Sequence, residues 1–159
     1  MRYLIIIISS LTILLSQTAN AGSQATGEAL FSPEEVIDFA KQVEHYAAQQ
    51  QAYAFIIGRQ GRPDKDLPKG IRFTHVAIAV YSDIQLDNGE VVQGYAIHNL
   101  YQRAKKPGRS DIIVDYPVDF FWAAKAMKAG IIIPTPAIQQ KLVSLIASGK
   151  HKALHNPHY

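Results

Sequence analysis

The 159-residue chain contains 0 cysteines. That absence excludes every disulfide, so stability has to come from an ordinary apolar core. It also removes every thiolate, so no cysteine nucleophile is available within these residues. Charge of one sign is scarce too: 16 Lys+Arg stand against 13 Asp+Glu, a formal net charge of +3. So mild a balance, mostly scattered, leaves no electrostatic footprint for nucleic acid, and none is expected as a partner. Leu4 to Leu15 is mostly apolar but is broken by Ser9, Ser10 and Thr12. It falls short of the roughly 20 apolar residues that a membrane-spanning helix needs. The chain shows no internal repeat and no second domain.

What the chain does have begins with an export signature. Arg2 is a one-charge n-region, and Ala19-Asn20-Ala21 is a small-x-small cleavage site. This pattern predicts a signal peptide over residues 1–21, cleaved before Gly22, with an uncleaved anchor as the alternative. The mature protein is then periplasmic or secreted, with no stable membrane span. Removing Arg2 lowers the net charge from +3 to +2. Residues 22–30 are small and polar, a flexible leader. Residues 31–159 are predicted to form a single α+β domain, a small antiparallel sheet with packed helices.

Ser32-Pro33-Glu34-Glu35 is a helix start. Ser32 can accept from the Glu35 amide, Glu35 can reach back, and Pro33 fits the first helical position. Val36, Phe39, Ala40, Val43 and Ala47 follow at helical spacing, up to Gln49–Gln51. Tyr53 to Gly58 is a strand. A Gly/Pro-rich loop follows, in which Arg59 lies between Gly58 and Gly61 and reads as a surface arginine. Ile71 to Tyr81 is the next strand, with Ile71, Phe73, His75, Ala77 and Ala79 on one face. Asn88-Gly89 signals a hairpin turn, and Val91 to His98 returns with Val92, Gly94, Ala96 and His98 on one face. Ile112 to Val114 is a short strand, Pro117 to Met127 a helix, and Gly130 to Ile133 another strand. Thr135-Pro136 opens a last helix that ends at Gly149.

Two histidines stand out, each flanked along its strand face by small residues that would admit a close neighbour. A two-residue Asn88-Gly89 turn opposes residues whose numbers sum to 177. His75 and His98 then share a face but lie about 13 Å apart along the strand. A register centred near Leu86 and Asp87 would bring them together. The tail histidines His151, His155 and His158 are not expected to hold a metal, because Asn156-Pro157 breaks any helix and fixes no geometry. The basic cluster Arg103–Arg109 reads as a solvated loop. No cofactor is expected.

FIIGRQG, FTHVAIAV, YAIHNLY, Ser110-Asp111, IIIPTPAIQQKL and the tail LHNPHY, in that order, resemble an uncharacterised bacterial domain-of-unknown-function family of exported proteins. More distantly the pattern is similar to the circularly permuted NlpC-type and lecithin:retinol-acyltransferase-type papain-like enzymes. There a strand histidine is the base, a second histidine or polar residue orients it, and the nucleophilic cysteine comes later at a helix N-terminus. The resemblance implies a papain-like scaffold with His75 as base and His98 as orienter. It also implies a chain continuing past Tyr159 to the nucleophile. The expected function is amide, ester or acyl cleavage of a small or envelope-associated substrate. The alternative is a non-catalytic periplasmic binding or scaffolding domain with structural histidines.

Overall fold

The structure, a computed structural model, describes residues 29–102 and 109–154. The expected signal peptide, nearly all of the leader, most of the basic cluster, and His155 and His158 lie outside the described residues. The fold is mixed α+β. A five-stranded sheet has the order β4-β3-β2-β1-β5. Its strands are β1 (Ala54–Arg59), β2 (His75–Gln85), β3 (Val91–Gln102), β4 (Ser110–Asp115) and β5 (Ala129–Ile132). Every neighbouring pair is antiparallel. Three helices, α1 (Pro33–Gln49), α2 (Pro117–Trp122) and α3 (Pro136–Ala147), accompany it. No described helix is long and apolar enough to cross a membrane.

α1 begins where the sequence places it. The Glu35 amide donates to Ser32 Oγ at 3.2 Å, and the Ser32 amide donates to Glu35 Oε2 at 2.8 Å. Val36, Ala40, Val43 and Ala47 form its buried stripe. They pack with α2 on one face of the sheet, against Phe55, Ile57, Ala77, Ala79, Tyr95 and Ile97. Phe39 of α1 meets Phe121 of α2 edge-on, with ring centroids 4.8 Å apart. Each fully buried large side chain there contributes about 1.5–3 kcal/mol of transfer free energy. The small residues beside His75 therefore lie inside the helix-covered core.

Several boundaries differ from the sequence reading. Pairing in β2 starts at His75, not Ile71, and the chain leaves the strand alternation before it. Phe73 crosses to the opposite face, where its ring lies over Gly130: a Cβ there would stand 2.7 Å from Phe73 Cε2. α2 stops at Trp122 because the Lys125 amide bonds to the Gln60 carbonyl at 2.8 Å, drawing the chain to the end of β1. β3 runs on to Gln102, and β4 covers Ser110–Asp115.

The hairpin between β2 and β3 matters most. Gln85 pairs with Val91, and Ile78 with His98, so opposed residues sum to 176 and not 177. The turn holds three residues, Asp87, Asn88 and Gly89, closed by Leu86 N–H to Glu90 C=O at 2.8 Å. Gly89 has φ +84, the left-handed position that closes such a turn. A shift of one residue moves a strand's side chains to the other face.

α3 is tied to β1 by a buried glutamine. Gln139 Oε1 accepts from the Tyr53 and Ala54 amides at 3.0 and 3.2 Å. Its Nε2 donates to the Pro134 carbonyl at 2.9 Å. Gln139→Leu leaves both amides and that carbonyl without this partner. The expected loss is about 2–4 kcal/mol, from one or two buried groups at about 1–3 each, read as a lower denaturation midpoint at unchanged slope. A loss below about 0.5 kcal/mol would mean that the glutamine is not what holds α3.

Candidate functional site

Four strands bring polar side chains to one end of the helix-covered face. Arg59, the last residue of β1, lies directly opposite His75, the first of β2. Continuing the β2–β3 register, Asn99 and Tyr101 of β3 share the face of His75. Asp115 of β4 pairs with Ile97 and so stands diagonal to Asn99 on the same face. All are buried: Arg59 and Asn99 are 0% exposed, Tyr101 6%, Asp115 7% and His75 8%.

These groups form a directed chain. Asn99 Nδ2 donates to Asp115 Oδ2 at 2.8 Å. A carboxylate accepts, so the amide NH₂ of Asn99 has to face it and Oδ1 faces the other way. That oxygen meets His75 Nε2. The tautomer follows from this network: the proton sits on Nε2 and the lone pair on Nδ1. Among the described residues, Nδ1 has no hydrogen-bond partner. Tyr101 stacks on the imidazole, centroids 5.1 Å apart and planes 12° from parallel, and Phe120 packs on it at 5.9 Å.

The electrostatics keep the imidazole neutral. Burial lowers the His75 pKa from its ordinary 6.5, and the Arg59 charge lowers it further. The Asn99 hydrogen bond and the Asp115 charge oppose this without reversing it. Arg59 itself is pushed down by burial, with Tyr101 and Asp115 opposing. Its Nη1 donates to the Phe120 carbonyl at 2.6 Å, and Cζ lies 5.2 Å from the Phe120 ring centroid. Burial raises the Tyr101 pKa. The arrangement leaves an oriented imidazole held toward its neutral form, with Nδ1 unpartnered among the described residues.

His98 does not reach this chain. It pairs with Ile78 and therefore lies on the opposite face. The expected sharing of a face by His75 and His98 is corrected by the three-residue turn, and the oriented contact goes to the next residue, Asn99. His98 instead meets His151 edge-on, with ring centroids 5.1 Å apart. Burial and the neighbouring His151 lower its pKa. Arg59, read as a surface loop residue, is the last residue of β1 and wholly buried. Asn99 had a signal in the sequence: Tyr95, Ile97 and Tyr101 alternate along β3 as an inward stripe, and Asn99 interrupts it. Asp115 and the orientation of Arg59 had none. Among the described residues no group of three or more His, Cys, Asp or Glu side chains could hold a metal ion.

A family model described as "Uncharacterized protein conserved in bacteria (DUF2145)" matches residues 46–159. The chain belongs to that family. No curated protein and no solved structure matches the chain.

Two outcomes test the site. Asn99→Leu leaves the His75 Nε2–H and an Asp115 oxygen without their bonds in a buried place, and costs about 2–5 kcal/mol. Denaturant unfolding reads the loss, and an unchanged midpoint would break the chain as drawn. The second outcome is pH-dependent. His75 has a depressed folded pKa, so the unfolded state binds the proton first. Stability is full above pH 6.5, the ordinary value, and falls as pH drops from there toward the folded pKa, by at most about 1.4 kcal/mol per pH unit. His75→Gln flattens this slope in melts between pH 7 and 5. An equal slope in both proteins would contradict the assignment.

Proposed function

We propose that this DUF2145 domain, exported to the periplasm or beyond, carries the base half of a thiol-dependent, papain-like acyl hydrolase or acyltransferase. One observation carries the reading: Asp115, Asn99 and His75 in series, with the His75 lone pair left free on Nδ1. In such a site the imidazole takes a proton from a thiol, and the thiolate attacks an amide, ester or thioester carbonyl. The imidazolium that forms is steadied through Asn99 by Asp115, then returns the proton to the leaving group. His75 is the base and Asn99 the orienter; His98 takes no part. The thiol is not among these 159 residues, which hold 0 cysteines, so it belongs to a segment or partner beyond them. Substrates are small or envelope-associated acyl compounds.

That same lack of cysteine favours a second reading, a non-catalytic binding or scaffolding domain. In it Arg59 and His75 only hold β1 and β2 to α2, and Asn99 and Asp115 only hold β3 to β4.

Two measurements separate the readings. In a long-range ¹H–¹⁵N spectrum at pH 7, His75 should be neutral with its proton on Nε2. A proton on Nδ1 would remove the free lone pair and with it the base. Protein purified from its source cell should cleave members of an ester, thioester and amide panel. His75→Ala should lower that activity by about 10²–10⁴-fold, and iodoacetamide should block it. These 159 residues hold 0 cysteines, and iodoacetamide can also alkylate a free imidazole nitrogen, so the label is mapped by mass spectrometry. Label on a cysteine outside these residues locates the nucleophile there, and label on His75 does not. Activity indifferent to both treatments, or none on the whole panel, leaves the scaffold reading.

A further inference from the structure

His98 and His151 form a second histidine system, on the face of the sheet opposite His75. His98 comes from β3, and His151 from a short 3-10 turn, Lys150–Leu154, after α3. His151 is 6% exposed. The Nδ1 atoms of both rings are buried and, among the described residues, have no hydrogen-bond partner. One buried imidazole nitrogen without a partner costs about 1–3 kcal/mol; two in contacting rings point to an absent shared partner. The ring spacing fits one. An ion that holds two imidazole nitrogens at about 2.0–2.1 Å in tetrahedral geometry sets the ring centroids about 5 Å apart. The observed separation is 5.1 Å, with the planes at 77°.

We propose that His98 and His151 bind a divalent transition-metal ion of the zinc class, with water completing the coordination. A pair of neutral imidazoles without carboxylates suits Zn²⁺, Ni²⁺ or Cu²⁺ and not Mg²⁺ or Ca²⁺. The ion joins the turn after α3 to β3, so it pins the C-terminal layer to the sheet. The site is independent of the His75 chain, because it lies on the other face.

The test is a titration of the metal-stripped full chain with Zn²⁺ at pH 7.5, followed by calorimetry and by histidine side-chain NMR. A single saturable event should move the His98 and His151 resonances and leave those of His75 in place. Tm should rise by a few degrees at a hundredfold excess over Kd. His98→Gln and His151→Gln should each weaken binding at least tenfold, while a His155→Gln/His158→Gln variant binds as before. Unmoved His98 and His151 resonances under excess Zn²⁺ would overturn the proposal. So would binding that survives His98→Gln, or that only the His155→Gln/His158→Gln variant loses. If a variant at His98 or His151 does not fold, the spectrum of the unaltered protein decides alone.

Discussion

The number of residues in one turn decides which side chains of this protein meet. Three residues, Asp87 to Gly89, join β2 to β3. With two, the strands would slip by one position, and side-chain alternation would send every β3 residue to the other face. As built, the turn puts Asn99 and Tyr101 over the helix-covered core beside His75. It puts His98 on the far side beside His151. Two adjacent residues, His98 and Asn99, thus face opposite sides of the sheet and meet different partners. Gly89 makes the odd-numbered turn possible, because its left-handed φ closes the loop without strain.

The buried polar row is held by packing as much as by charge. A guanidinium with no exposed surface is costly unless its donors are met. Arg59 lies against the Phe120 ring and donates to the Phe120 carbonyl, and both come from α2. α2 is only six residues long, and it is steadied by Phe39 of α1 and by the chain bond from Lys125 to Gln60. The helix that closes the core is therefore also the one that houses the arginine. Burial holds His75 toward the neutral form, and the charge of the arginine adds to it. Core packing and the protonation state of the imidazole are linked through one residue.

The starts of α1 and α3 were legible because they rest on local chemistry. Ser32 with Glu35, and proline at the first helical position, act within one turn of chain. The strand existence and the buried stripe Val36, Ala40, Val43 and Ala47 were legible for the same reason: a period of 2 or 3.6 is written in neighbouring residues. Phe73 was misplaced because it precedes the first paired residue, and an unpaired residue has no obligation to alternate. Arg59 was misread because Gly58 and Gly61 look like a loop, while the pairing of Gly58 with Gly130 extends β1 through the arginine. His75 stood out in sequence among small residues, but its partner did not.

By itself the sequence determined the elements, the antiparallel α+β class, the histidine at a strand position and the absence of any thiol. These depend on composition and on contacts within a few residues. Only the tertiary structure decided that His75 is oriented by Asn99 and Asp115, that Arg59 is buried opposite it, and that His98 meets His151. Each of those facts depends on register between strands, and register is set by the exact turn length and by which faces α1 and α2 can cover. A one-residue difference in a turn is nearly invisible in sequence, yet it exchanges the two faces of a strand.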